Sequence, residues 1–138
     1  MLMIFNTMCA LFLSVIISFS QFPVCRLMVA DTPQEHERGL MNYRSLVGYD
    51  GMVFLYKNKA IRHFWNKNTY LELDIYWIDS GRVVGKSYLP PVDKYGVVTV
   101  SSPAPVDTVV ELLRGRRCLY NNILLSPELE SGKGKNTE

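Results

Sequence analysis

The sequence has 138 residues, of which 48% are hydrophobic and 20% charged, and its net charge is +2 at pH 7. This length predicts one domain, and the balance of apolar and charged residues excludes a disordered chain. The small net charge argues against a nucleic-acid-binding protein, which normally carries a basic stripe. The densest basic cluster, Arg114, Arg116 and Arg117, is interpreted as a solvated helix face.

The N-terminal segment carries no charged side chain before Arg26, and residues 8–17 are apolar apart from one serine. Such a run is typical of the hydrophobic region of a signal peptide, and the small residues that follow it place cleavage before Gln21. The sequence therefore predicts an exported protein, periplasmic or extracellular, that loses residues 1–20. No Lys or Arg precedes the run, so two alternatives stay open: an uncleaved membrane anchor over residues 2–19, or a misplaced start codon.

The remaining elements follow in chain order from local patterns. Residues 24–29 are a predicted strand, and a capping box at Thr32-Pro33-Gln34-Glu35 predicts a helix to about residue 41. Gly39 lies within that helix and suggests a close approach to another element. A second short helix is expected over residues 114–121. Alternation and turn residues predict the other strands, at residues 52–56, 61–65, 71–77, 82–89, 97–100, 106–113 and 123–125.

Strands outnumber helices in this pattern, so the expected class is α+β. We expect a compact, mostly β domain over residues 21–125, built on a curled antiparallel or mixed sheet, barrel-like, with one or two short helices. Residues 126–138 are polar and contain two glycines, which predicts a flexible tail.

Core packing alone does not explain the composition of one segment, residues 64–69. It places amides, an ammonium and a hydroxyl beside a tryptophan, and a carboxylate follows on the strand face opposite Leu73. An apolar wall with a few polar groups is typical of a small-ligand site. The alternative is a turn whose asparagine side chains bond their own backbone. Arg38, one helical turn after Glu35, is a further candidate, although an exposed ion pair of these two explains it as well. The candidate ligand-binding residues are Arg38, Trp65, Lys67, Asn68, Thr69 and Asp74.

The sequence gives little support for a metal site, a nucleophilic enzyme, a phosphate-binding loop or a redox motif. The two histidines have no metal-ligand spacing, and the chain lacks a nucleophile elbow, a phosphate loop and a C-x-x-C motif. We therefore expect no metal and no cofactor. Cys25 and Cys118 remain after the predicted leader is removed. They either form one disulfide in an oxidising compartment or are two small buried apolar residues.

Several segments stand in the order and at the spacing of a known family. They are Val29-Ala30-Asp31-Thr32-Pro33, Glu37-Arg38-Gly39-Leu40-Met41, Gly51-Met52-Val53-Phe54, residues 64–69, Leu73-Asp74-Ile75 with Ile78-Asp79, Ser102-Pro103-Ala104-Pro105 and Val109-Val110-Glu111-Leu112. Over residues 26–115 the chain thus resembles the DUF192 family, also called UPF0127. The resemblance implies a small, mostly β domain with a helix, often behind a signal peptide, and no settled activity.

This chain departs from the family pattern in two places. Asn66 stands where the family usually has methionine, which predicts an altered pocket. Residues 124–127 replace the family's usual G-D turn, which puts the last strand in question.

These observations favour a non-enzymatic ligand-binding or accessory module of the cell envelope. It would take a small polar or anionic ligand, with Lys67 and Arg38 as the charges and Trp65 as the apolar wall. One alternative is an envelope hydrolase or transferase in which Asp74 acts as acid or base, Lys67 as electrophile and Asn68 as oxyanion donor. The other is a structural or interaction domain in which the segment locks a turn. No nucleic-acid partner is expected, and a membrane is contacted only through an uncleaved N-terminal segment.

Overall fold

The computed structural model describes residues 22–129, so the predicted leader and residues 130–138 of the predicted tail lie outside the described residues. The described part is mostly β, which confirms the predicted α+β class. Its two short helices are α1 (Pro33–Arg38) and α2 (Val92–Tyr95). Its strands are β1 (Leu27–Ala30), β2 (Gly51–Ala60), β3 (His63–Trp65), β4 (Leu73–Asp79), β5 (Arg82–Leu89), β6 (Thr99–Ser101), β7 (Val106–Leu113), β8 (Cys118–Tyr120) and β9 (Ile123–Leu125).

The main sheet has five strands in the order β1-β2-β7-β4-β5. Strand β1 runs parallel to β2, and the other neighbours are antiparallel, so the sheet is mixed as predicted. Its order ends at β1 on one side and β5 on the other, so this sheet is not a closed barrel. Strands β3 and β6 form a separate pair, as do β8 and β9.

The sheet separates two apolar clusters. In β4, the side chains of Leu73, Ile75 and Trp77 join the cluster that also contains residues from β3 and β6 and a leucine just beyond α1. The side chains of Tyr76 and Ile78 join the second cluster, which contains residues of β8 and β9. Successive strand residues point to opposite faces. Burial on both faces explains why β4 is almost continuously apolar.

Helix α1 begins at its capping box and ends three residues before the predicted end. The Thr32 hydroxyl accepts a 3.2 Å hydrogen bond from the Glu35 amide, and donates to the Glu35 carboxylate at 2.9 Å. The helix stops at Arg38 because Gly39 adopts the left-handed φ of 47° as its C-cap. A Cβ at Gly39 would lie 3.3 Å from the Phe54 ring, which is the close approach that the glycine indicated.

The segment after β7 corrects a second prediction. A helix over residues 114–121 is wrong: Gly115 turns the chain with a φ of 83°, and β8 follows. Asn121 and Asn122 both have positive φ and connect β8 to β9, as the residues of a tight hairpin do. The questioned last strand is therefore present. Helix α2, in a stretch expected to be a loop, was not predicted.

A disulfide joins Cys25 to Cys118 across 93 residues of sequence. The chain around it is also paired through the backbone: the Cys25 amide donates to the Leu119 carbonyl, and the Leu119 amide to that of Pro23. The N-terminal segment of the described chain is thereby held against β8. Neither described helix is long and apolar enough to cross a membrane.

Candidate functional site

A cleft of about 350 Å³ lies between α1 and the turn that follows β3. We call it the α1 cleft. Its lining comes from both segments because the Asn42 amide, just beyond α1, donates to the Asn68 carbonyl at 2.8 Å. Four of the six predicted ligand-binding residues share this cleft. The lining consists of Gln34, Glu37, Arg38, Met41, Asn42, Trp65, Lys67 and Asn68.

The α1 cleft combines cations with an exposed aromatic wall. The Lys67 ammonium lies 5.1 Å from the centre of the Trp65 ring, and Trp65 is 46% exposed. Arg38 and Lys67 take part in none of the ion pairs found within residues 22–129. The lining also holds one carboxylate, that of Glu37. Two cations therefore remain available to an anionic group, beside a surface suited to apolar contact.

The turn itself is held by Asn68 and Thr69. Asn68 has a positive φ of 52°, a conformation that asparagine tolerates better than most residues. The Thr69 amide donates to the Asn66 carbonyl at 2.9 Å, and its hydroxyl donates to the Lys67 carbonyl at 3.2 Å. Thr69 is 5% exposed. Its principal contacts therefore stabilise the turn that presents Trp65 and Lys67.

Asn66 is a structural residue and does not line the α1 cleft. It is fully buried, and its amide donates to the carbonyls of Pro90 and Gly96 at 2.8 and 2.9 Å. Its side-chain oxygen accepts from the Val98 amide at 2.6 Å. All three bonds reach the loop around α2, and Asn66 lines neither the α1 cleft nor the pocket described below. Asn66 instead fastens that loop to the turn.

Asp74 lies apart from the other candidates. It follows the alternation of β4 onto the face that carries Tyr76, whereas the α1 cleft lies over the face that carries Leu73. Its carboxylate accepts from the Gly115 amide at 3.1 Å and lies 3.8 Å from the Lys86 ammonium. A separate cleft of about 370 Å³ includes Asp74. The structure therefore does not bring Asp74 together with Lys67 and Arg38.

A narrower pocket, of about 50 Å³, shares part of its lining with the α1 cleft. We call it the inner pocket. The shared residues are Glu37, Arg38, Met41 and Trp65. Thr69 lines the inner pocket, so five of the six predicted residues line one or both of these adjoining spaces. The remaining lining is Gly39, Leu40, Phe54, His63, Phe64 and Glu111.

Glu111 is the residue of this pocket that sequence reasoning missed. It lies in the middle of β7, between Met52 of β2 and Ile75 of β4, and is 4% exposed. None of the hydrogen bonds formed among residues 22–129 reaches its carboxyl group, and burial raises the pKa of Glu111 to about 8. The sequence did carry a signal: Glu111 is the acidic residue that interrupts the apolar run 109–113, at a position that alternation assigns to the core.

Within residues 22–129, no group of three or more histidine, cysteine, aspartate and glutamate residues could hold a metal ion.

The fold and this site define a small α+β domain with a polar cleft beside a mixed sheet. The chain belongs to the DUF192 family, described as uncharacterized ACR, whose model matches residues 16–119. This finding confirms the resemblance seen in the motifs. No curated protein matches the chain.

Two solved structures are similar to the chain. One is from Sinorhizobium meliloti 1021 and is described as a proposed transcription regulator; it is 32% identical, with a TM-score of 0.57, over 64% of this chain and 68% of that one. The other, from Novosphingobium aromaticivorans DSM 12444, is described as a protein of unknown function. It is 29% identical, with a TM-score of 0.56, over 63% of this chain and 61% of that one.

Proposed function

We propose that the protein is an exported, non-enzymatic module of the cell envelope that binds a small molecule through an anionic group in the α1 cleft. One observation carries this proposal. Arg38 and Lys67 come from separate segments, line the same open cleft, and have no ion-pair partner within residues 22–129.

The residue types suit an anionic group. A guanidinium binds carboxylate or phosphate oxygens through two parallel hydrogen bonds, and an ammonium adds a second point charge. Trp65 offers the ligand an apolar surface beside these charges. Glu37 in the same lining would repel a purely anionic molecule, so its presence favours a ligand that also carries a hydrogen-bond donor.

The disulfide supports export. Disulfides persist mainly in oxidising compartments, such as the bacterial periplasm or the extracellular space. Cys25, one partner of this disulfide, remains in the chain after the predicted cleavage before Gln21. Together with the apolar leader, this bond favours secretion over retention in the cytoplasm.

Two alternatives receive less support from the geometry. An enzyme that uses Asp74 with Lys67 needs both groups at one substrate, but Asp74 lies on the other sheet face beside Lys86. A purely structural role accounts for Asn66 and Thr69, whose polar groups bond the backbone. It leaves the exposed Lys67 and Trp65 unexplained.

Tryptophan fluorescence tests the proposal directly. The chain has two tryptophans, one exposed in the α1 cleft and the other, Trp77, fully buried. Titration of the protein with acetate, succinate, benzoate and phosphate at low ionic strength should give a saturable change for at least one anion. This change should disappear in Trp65→Phe.

Charge variants then assign the binding groups. A hydrogen bond to a charged group contributes ~1.5–3 kcal/mol, so Arg38→Gln and Lys67→Gln should each weaken anion binding about tenfold or more. Arg82 is an exposed cation of β5 that lines neither the α1 cleft nor the inner pocket, so Arg82→Gln should leave the anion affinity unchanged. No saturable response to any anion, or equal weakening in Arg82→Gln, would contradict the proposal.

The proposed export of the protein is tested separately. After expression in a secreting bacterial host, N-terminal sequencing of the periplasmic fraction should begin at Gln21. A full-length chain that stays with the membrane fraction would favour the anchor over residues 2–19 instead.

A further inference from the structure

We infer that the inner pocket is an ammonium-binding subsite with Glu111 as its acceptor, so that the ligand of this site is a small amino-acid-like zwitterion. The anionic half of this ligand rests on the function proposed above. The ammonium half rests on separate observations around Glu111, beginning with its burial.

The placement of Glu111 is costly unless something pairs with it. A buried carboxyl group without a hydrogen-bond partner destabilises the folded state, so native proteins rarely keep one. Glu111 is 4% exposed on the central strand β7, and burial alone accounts for its raised pKa. Its strand neighbours, Met52 and Ile75, are apolar and offer it no donor. Because Glu111 also lines the inner pocket, a donor can reach its carboxyl group from there.

The size of the pocket limits what this donor can be. A single water molecule needs on the order of 10–15 Å³ of such space, and the inner pocket provides about 50 Å³. This volume admits an ammonium with one or two carbon atoms and excludes a ring. A ligand group that acts as this donor must therefore be the end of a small or narrow molecule.

The walls of the pocket favour a cation over a neutral hydroxyl. Phe54 and Phe64 pack edge to face, with ring centres 4.8 Å apart, and Trp65 is a third aromatic residue of the pocket lining. Aromatic faces attract ammonium groups. The hydroxyl of Thr69 donates to a backbone carbonyl, which leaves its oxygen lone pairs free to accept.

The two adjoining spaces differ in their charged and titratable groups. The α1 cleft contains two cations, Arg38 and Lys67, against the single carboxylate of Glu37. The inner pocket contains Glu37 and Arg38, and Glu111 adds a second negative charge there once its carboxyl group gives up its proton. A molecule with a carboxylate in the cleft and an ammonium in the inner pocket matches this arrangement, whereas a simple anion leaves Glu111 unpaired.

Binding of an ammonium should also change the protonation of Glu111. The charged or titratable groups around it are Glu37 and Arg38 of α1, His63 of β3 and Tyr56 of β2. Because burial raises the pKa of Glu111 to about 8, its carboxyl group is mostly protonated at pH 7 in the free protein. An incoming ammonium stabilises the carboxylate, so this proton passes to the buffer and an ammonium–carboxylate pair forms.

The experiment compares three kinds of probe by Trp65 fluorescence at pH 7. Glycine and β-alanine carry both charges, acetate and propionate only the carboxylate, and methylamine and ethylamine only the ammonium. We expect a zwitterion to bind at least tenfold more tightly than its matching carboxylate. Glu111→Gln, which keeps the shape, should reduce zwitterion affinity to that of the carboxylate and leave carboxylate affinity within twofold.

Calorimetry supplies a second readout. Titration of the preferred zwitterion in two buffers of different ionisation enthalpy should show release of up to one proton for the parent and none for Glu111→Gln. Circular dichroism establishes that the variant is folded, and its stability should equal or exceed that of the parent.

The outcomes separate the two proposals. If carboxylates bind through Arg38 but zwitterions bind no better, the inference about Glu111 fails and the proposed anion site stands. If methylamine or ethylamine binds in a manner that depends on Glu111 while no carboxylate binds, the ammonium subsite stands and the anion site fails. Equal zwitterion affinity in the parent and in Glu111→Gln would also overturn the inference.

Discussion

The side-chain oxygen of Asn66 accepts a 2.6 Å hydrogen bond from the backbone N–H of Val98, while its amide bonds the carbonyls of Pro90 and Gly96. Asn66→Ala removes all three bonds and leaves their backbone partners unsatisfied. Each such loss costs ~1–3 kcal/mol when the group stays buried. We therefore expect the free energy of unfolding, measured by urea denaturation, to fall by about 3 kcal/mol or more.

The neighbouring asparagine provides the control for this prediction. Asn68 is exposed and has a φ of 52°, which glycine adopts without steric cost. Asn68→Gly should change the free energy of unfolding by less than about 1 kcal/mol. Equal losses in the two variants would show that the turn as a whole, and not the Asn66 bonds, holds the loop.

Glu111 should make stability depend on pH. Burial raises its pKa from the ordinary 4.5 to about 8, so the folded protein binds a proton that the unfolded chain releases between these values. The stability contributed by this proton is fully present below pH 4.5 and is lost as pH rises through 8. Within the window, each pH unit lowers the free energy of unfolding by up to about 1.4 kcal/mol.

Glu111→Gln isolates this effect because it does not titrate. Urea denaturation of parent and variant at pH 5, 6, 7 and 8 should give curves that diverge with rising pH, with the variant more stable at the alkaline end. Parallel pH dependences would mean that Glu111 has a partner that keeps its pKa near the usual range.

Gly51 is required by the close approach of β2 to β7. A Cβ at this position would lie 1.8 Å from the backbone oxygen of Glu111, so Gly51→Ala must push the strands apart. We expect a loss of about 3 kcal/mol or more in the free energy of unfolding. Gly48→Ala tests backbone strain alone, since its φ is 81° and nothing lies within 4 Å; it should cost roughly 1–2 kcal/mol. A smaller loss for Gly51→Ala than for Gly48→Ala would contradict this account.

The disulfide should make a measurable contribution to stability. A bond that closes 93 residues restricts the unfolded chain strongly, and loss of a native disulfide from a small domain costs ~2–5 kcal/mol. Reductant should lower the free energy of unfolding of the parent by this amount. It should have no effect on a Cys25→Ala/Cys118→Ala variant.

Mass spectrometry checks the bond itself. In protein exported natively, alkylation of the cysteines should require prior reduction. Two free thiols before reduction would refute the disulfide and remove its support for export.

Part of the candidate site could be predicted from the sequence because its signals are local. The segment around Trp65 and Lys67 stands out by its composition, and the capping box at Thr32 places Arg38 at the end of a helix. The structure brings these segments together at one cleft. The sequence did not predict that Asn66 faces inward, because its three partners lie 24 to 32 residues away along the chain.

Other errors have the same origin. Residues 114–121 were expected to form a helix, but β8 gains a partner in β9 and a disulfide to Cys25, and neither gain is visible in the local pattern. Tertiary contacts of this kind routinely override helix propensity. Helix α2 was missed because its four residues follow two prolines and carry no side-chain cap.

The sequence by itself determined which residues alternate on each strand, where α1 begins, and which family the chain resembles. Alternation already placed Asp74 opposite Leu73 on β4. Only the tertiary structure decided that the cleft lies on the face of Leu73, together with the buried carboxyl group of Glu111. The physical reason is that the direction of a side chain on a strand depends on its neighbours in the sequence. Which segments pack on each face of the sheet depends on contacts between residues far apart in the chain.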